Sequence, residues 1–217
     1  PPQFPDVYYY HIQNIMWNDE YSVVPGLANL HERFGFNSNI LLIFSTFGYK
    51  AIFGEYIYGV NALFFILIFT DIVINSNKDK SLLSILSLII LFAFFYIYKL
   101  HLASASTDFV VNIFIVYLTI QVLRTPKAIS QKTLLFWIVP LFCITLKLSL
   151  AFICLTGLYI AINLIQSKSY KLLTIYILLA VMIITPWLAR NIIISGYLMH
   201  PFPAIDVFDV DWKLPAE

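Results

Sequence analysis

The sequence predicts an all-α membrane protein, with about six transmembrane helices and further extracytoplasmic helices lying on the membrane surface. Three observations predict it. Of 217 residues, 60% are hydrophobic and only 12% charged, at a mean hydropathy of +0.84, whereas a soluble domain carries about 25% charged residues. The apolar residues come in long runs, the length that a bilayer demands. Lys and Arg gather in three short loops between those runs, the bias that orients membrane helices. The net charge of +1 gives no reason to expect a nucleic-acid partner. Cys143 and Cys154 lie inside apolar runs without metal-ligand spacing and read as small hydrophobes.

The polar chemistry is concentrated near the start. Residues 5–38 read PDVYYYHIQNIMWNDEYSVVPGLANLHERFGFNS and hold Asp6, His11, Asp19, Glu20, His31, Glu32 and Arg33. Tyr8, Ile12, Ile15 and Met16 recur at helical spacing, which predicts a surface helix over about 6–21. Asp6 after Pro5 would start it and Val24-Pro25-Gly26 would end it. Residues 27–38 form a polar loop. Residues 40–53 are apolar but broken by Lys50 and followed by Gly54-Glu55, a second interfacial helix. The Pro-Pro start without an initiator Met and the abrupt LPAE end read as a piece of a longer membrane protein.

Apolar runs follow at about 57–74, 82–98, 109–123, 134–166 and 172–189. The loops between them carry Lys78 and Lys80, then Arg124, Lys127 and Lys132, then Lys168 and Lys171. All three are expected to be cytoplasmic; Asp71 and Asp79 oppose this little, because acidic residues weigh lightly. Two cytoplasmic loops flank 134–166, so that run must cross an even number of times. It becomes a hairpin of two short spans turning at Lys147-Leu148-Ser149, giving six helices. Three regions result: an extracytoplasmic loop with interfacial helices (1–56), the transmembrane region (57–189) and an extracytoplasmic loop (190–217). All four histidines then fall on the outer side, with Asp6, Asp108, Lys147 and Arg190.

Each candidate residue has a plain reading beside a chemical one. Asp6 is either a helix N-cap or a carboxylate facing an acceptor hydroxyl, and the two are compatible. Asp108, in ASASTDFVV, is either a cap or part of an oxygen cluster with Ser104, Ser106 and Thr107 suited to a cation or a sugar. Lys147 is a lone cation in ITLKLSLAF, either snorkelling to lipid headgroups or holding a phosphate. Arg190, with Trp187 and Asn191 beside it, has the same two readings. A zinc site from His11, His31 and His101 lacks any close histidine pair. Asp209-Val-Asp211 looks like a nucleotide-sugar metal motif but falls on the wrong side of the membrane for that substrate.

Several pieces together resemble one family group. Asp6 with Tyr9 and Tyr10 in PDVYYYH, the Ser106-Thr107-Asp108 element, Lys147-Leu148-Ser149 and PWLARNIIISGYLMHPFP are similar to motifs of the C-type-fold polytopic membrane glycosyltransferases, relatives of protein mannosyltransferases and aminoarabinose transferases. VPGLANLHERFGFNS resembles a block in bacterial membrane proteins of this type. The resemblance implies a partial C-type fold in a bacterial inner membrane, missing N- and C-terminal helices. It implies hexosyl or pentosyl transfer from a polyprenyl-phosphate donor at the extracytoplasmic face, with a lipid, protein or polysaccharide as acceptor. Asp6 would orient or deprotonate the acceptor hydroxyl, and Lys147 and Arg190 would hold the donor phosphate. Tyr9, Tyr10, His11, His31 and Asp108 would contact sugar or acceptor. Asp6 is followed by Val7 rather than a second acidic residue, so the paired-carboxylate form of the motif is absent, which counts against a metal requirement; a divalent cation is the one candidate cofactor, without an assigned ligand set. Two rivals stand: a carrier of lipid-linked saccharides, which needs ionisable residues deep in the membrane, and a non-catalytic glycan-binding relative.

Overall fold

The computed structural model describes residues 5–78, 81–124, 128–202 and 205–215. Asp79, Lys80 and Lys127, used in the charge argument, and Pro203 of the Pro-Phe-Pro run lie outside the described residues. Among the described residues every regular element is helical. The chain opens with a π turn (Val7–His11) that runs into α1 (Ile12–Glu20). Two 3₁₀ turns, Leu27–Asn29 and Glu32–Gly35, occupy the stretch read as a polar loop. The apolar stretch after it divides into α2 (Asn39–Thr46) and the short α3 (Lys50–Phe53), with Tyr49 in left-handed geometry at the break.

Among the described residues five helices are long and apolar enough to cross a membrane: Val60–Lys78, Leu82–His101, Thr107–Arg124, Leu148–Gln166 and Tyr170–Ser195. They contain α4 (Val60–Lys78), α5 (Leu82–Tyr98), α6 (Thr107–Arg124), α9 (Leu155–Gln166) and α10 (Tyr170–Ser195). Between α6 and α9 lie a single turn, α7 (Ala128–Gln131), and the apolar α8 (Thr133–Leu146). At 14 residues α8 spans about 21 Å at 1.5 Å per residue, short of a hydrocarbon core about 30 Å thick. The hairpin expected over 134–166 is present: α8 ends at Lys147, a 3₁₀ segment follows (Leu148–Cys154), and α9 packs back on α8. α10 runs on past the end expected from hydropathy, through Arg190 and Asn191, until Gly196 caps it at φ 81°.

Apolar contact organises the bundle around α6. In its most apolar stretch 44% of residues are buried, against 11% for α10, and α6 touches α4, α5 and α8. Phe109, Val110 and Ile113 of α6 are wholly buried beside Ile72 of α4 and Leu91 of α5. Elsewhere the spans present large apolar side chains outwards, among them Leu82, Ile97, Leu178 and Met182. Such a surface belongs against lipid rather than water.

The two ends of the bundle are tied by different polar networks. At one end Asp71 of α4 accepts from Tyr117 Oη (2.9 Å) and Gln121 Nε2 (3.1 Å) of α6, and Lys132 Nζ donates to Gln121 Oε1 (2.7 Å). This end carries Lys78, Arg124 and Lys168. At the other end residues 5–56 fold over the helix termini as a cap. Ser38 Oγ donates to the Leu146 carbonyl (2.7 Å) and Gly26 N–H to the Ile193 carbonyl (2.9 Å). Asn61 Nδ2, at the head of α4, reaches the carbonyls of His101, Ser104 and Ser106 at 2.9–3.1 Å. That one buried amide holds the loop that delivers Asp108 to the start of α6.

Candidate functional site

Under the cap lies a cavity of about 770 Å³. Its wall is made by the π turn with the residue before it (Asp6, Val7, Tyr10, His11), the 36–38 loop (Asn37, Ser38), the approach to α6 and its first turn (His101, Ser106, Thr107, Asp108), the hairpin turn (Lys147, Ser149) and the far end of α10 with the turn after it (Trp187, Asn191, His200). Five segments, with Asp6 and His200 194 positions apart, therefore converge on one space.

The π turn decides what the first segment offers. The Ile12 N–H bonds to the Val7 carbonyl, five residues back. Positions five apart on an α-helix point about 140° away from each other; on the wider π turn the angle shrinks to about 50°. Asp6 and His11 thereby share a face. Asp6 itself has helical backbone angles and makes no capping bond, which corrects its reading as an N-cap. Its carboxylate accepts instead from Arg33 Nη1 at 3.2 Å, and the same guanidinium lies 5.2 Å from the centre of the Tyr10 ring. Burial and the Asp6 charge push the Tyr10 phenol up, with Arg33 opposing.

Lys147 is not the lone cation that its sequence context suggests. Its Nζ donates to Asp108 Oδ1 at 2.6 Å, with both side chains about half exposed on the rim. The two candidates assigned to phosphate and to sugar are thus one ion pair. Arg190 departs further from expectation. It is 9% exposed and is absent from the residues forming the cavity wall. Its Nη1 donates to Asn37 Oδ1 and its Nη2 to Asn18 Oδ1 (2.6 Å). Asn37 completes the joint, donating to the Trp187 carbonyl (2.8 Å) and accepting from Trp187 Nε1 (2.6 Å) through its own carbonyl. A buried guanidinium needs such partners. Arg190 therefore stands one layer behind the cavity and locks the cap to α10. It also lines a second depression of about 510 Å³, mostly apolar, between α2, α8 and α10.

The histidines divide three to one. His11, His101 and His200 line the cavity. His31 does not: it is exposed, and its Nδ1 accepts from the Arg33 N–H at 3.1 Å. Tyr9 is likewise exposed and outside the wall, while Tyr10 is part of it. His11 is 5% exposed, and its Nδ1 is buried without a hydrogen-bond partner. Burial pulls its affinity for protons below the ordinary value, while the Ala105 carbonyl, Asp6 and Asp108 pull it back up and Lys147 opposes them. Burial also lowers His200, whose ring lies so close to Gly35 that a Cβ there would meet it at 2.8 Å.

His11, His31 and His101 are not assembled into a zinc site: among the described residues no group of three or more His, Cys, Asp or Glu side chains is placed to hold a metal ion. Asn37, Trp187 and His200 were not among the residues assigned a role from sequence. Asn37 could have been suspected, standing as a lone amide in FGFNS ahead of an apolar run.

What the fold and cavity define, among the described residues, is an all-helical protein with five helices fit to span a membrane and a cluster of ionisable side chains under a cap at one end of them. The chain belongs to the family described as a domain of unknown function (DUF8201), whose match covers residues 1–217. No curated protein and no solved structure matches the chain.

Proposed function

We propose that the protein is a membrane glycosyltransferase that moves a sugar from a polyprenyl-phosphate donor to an acceptor hydroxyl in the capped cavity. The observation that carries the reading is the composition of that wall. A cation (Lys147), two carboxylates (Asp6, Asp108) and aromatic and amide groups (Tyr10, Trp187, Asn37) meet in one space beside apolar helices. Carboxylates and amides suit sugar hydroxyls. A lysine suits a phosphate whose charge grows as its bond to the sugar breaks. A cavity of this size beside the membrane suits a head group whose lipid tail stays among the helices.

In this reading Lys147 leaves Asp108 for the donor phosphate, and Asp108 is freed to accept from sugar hydroxyls. Asp6, steadied by Arg33, orients the acceptor. Arg190 supports the wall through Asn37 and Trp187 rather than touching phosphate. Six crossings follow if α8 and the hairpin turn reach the membrane surface on the capped side, a short span being accommodated by local thinning of the bilayer. The cap is then extracytoplasmic and the Lys- and Arg-bearing loops cytoplasmic. The protein sits in a bacterial cytoplasmic membrane, surrounded by its lipids.

The test is transfer by the full-length protein in proteoliposomes, supplied with radiolabelled undecaprenyl-phosphate hexoses and pentoses and with membrane extract as acceptor. Sugar moves into acceptor with the parent protein, and Lys147→Met lowers transfer about a hundredfold or more. Absence of transfer from every donor, or full activity of Lys147→Met, overturns the reading. Labelling from outside of a cysteine placed at Tyr21 tests the orientation.

A further inference from the structure

We propose that His11 is the proton acceptor of the cavity, the group that takes the proton from the attacking acceptor hydroxyl. The proposal rests on the transfer reading above and names the base within the same site. Three observations lead to it. The π turn brings His11 onto the face that Asp6 shares, at the wall of the cavity. Both carboxylates on that wall have other work: Asp6 is engaged by Arg33 (3.2 Å), and Asp108, paired with Lys147 at 2.6 Å in the empty cavity, turns to the sugar hydroxyls once Lys147 moves to the donor phosphate. His11, in contrast, is 95% buried with unspent hydrogen-bonding capacity at Nδ1. A buried polar atom left without a partner is uncommon and asks for an explanation, and a ligand hydroxyl supplies one.

The charged surroundings suit the task. The groups that act on the ring are Asp6 on its own segment, Asp108 from α6, Lys147 from the end of α8 and the Ala105 carbonyl, with burial as the largest influence. Tyr10, His101 and His200 border the same space. Burial keeps the ring neutral, and so able to accept a proton, at neutral pH. Once charged, the ring faces two carboxylates that favour the imidazolium.

The acceptor oxygen bonds to the anomeric carbon while the bond from that carbon to the phosphate oxygen breaks, its electron pair leaving with the phosphate. The hydroxyl proton passes to His11, which later releases it to water. No oxidant, reductant or further co-reactant is needed.

The experiment compares the parent protein with His11→Gln in the same proteoliposome assay. His11→Gln is expected to lower kcat about a hundredfold or more, to leave the KM for the donor within about threefold, and to remove the acid limb of the pH profile. Retention of kcat and of that limb overturns the proposal while leaving the transfer reading intact. Histidine ¹⁵N NMR of the parent protein in nanodiscs supplies a measurement independent of transfer. His11 is expected to be neutral at pH 7, with a midpoint below the ordinary value of about 6.5; a ring charged at pH 7 overturns the proposal. Failure of the parent protein to transfer from any donor removes the reaction and the base together. Thermal unfolding of His11→Gln close to the parent's shows that the loss is chemical; if that variant does not fold, His11→Asn takes its place.

Discussion

Lys147 and Asp108, 39 positions apart in the chain, meet at 2.6 Å on the rim of the cavity. One ends the apolar helix α8 and the other lies in the first turn of α6, so the ion pair reports how these two apolar helices are set against each other. It also means that an anion entering the cavity must compete with Asp108 for Lys147.

That competition predicts a split between stability and function. Exposed ion pairs contribute about 0–1 kcal/mol, and both partners are about half exposed. Asp108→Asn should therefore lower the unfolding midpoint in detergent little while, on the transfer reading, reducing transfer by an order of magnitude or more because the sugar hydroxyls lose a charged acceptor. Thermal unfolding and the transfer assay, run on one preparation, check both halves.

The joint behind the cavity should behave in the opposite way. Asn37→Ala removes the acceptor of Arg190 Nη1 and the donor to the Trp187 carbonyl, all of it buried. Leaving a buried guanidinium and a carbonyl short of partners costs about 2–3 kcal/mol. Chemical unfolding in mixed micelles should show the loss, and cysteine labelling should find the cap less protected against α10.

Asn61 gives a sign test. Its amide nitrogen donates into three carbonyls. Asn61→Asp turns that donor into an acceptor facing acceptors, and so should destabilise more than Asn61→Ala. A ranking by unfolding midpoint with Ala below Asp would show that the amide is not the tie assigned here.

The pH dependence of stability follows from His11 and His200. Both bind protons less readily in the fold than in the unfolded chain, so acid favours unfolding. Their contribution is complete above the unfolded value of about 6.5 and is lost as pH falls through the lower folded values. Unfolding midpoints measured between about pH 7.5 and 5 should fall with pH, and less steeply in His11→Gln/His200→Gln.

Gly35 offers a packing test. Its missing Cβ leaves room for the His200 ring. Gly35→Ala should push His200 from the wall, visible as a shifted His200 resonance and weakened ligand binding.

The helical spans were legible because their signal is local. The run read as 82–98 is α5, residue for residue, and the hairpin over 134–166 follows from two neighbouring basic loops. Past Ala189 the reading stopped too early. Arg190 ends a hydropathy run, but its partners, the buried Asn37 and the half-buried Asn18, let the helix continue to Ser195. The pairing of Lys147 with Asp108 is hidden for a related reason, because its partner lies on another helix.

Length and hydropathy of each run are properties of neighbouring residues, and a bilayer rewards them wherever they occur. They mark out the apolar helices, the basic loops between them and the polar stretch at 5–38 without any knowledge of packing. The placement of His11 is of another kind. Its approach to the Asp6 face needs a π turn in place of an α turn, and no pattern in PDVYYYH announces one. The choice between Arg190 as a phosphate ligand and Arg190 as a buried brace is of that kind too. Both depend on contacts between segments far apart in the chain, where burial and the demand for hydrogen-bond partners select one arrangement.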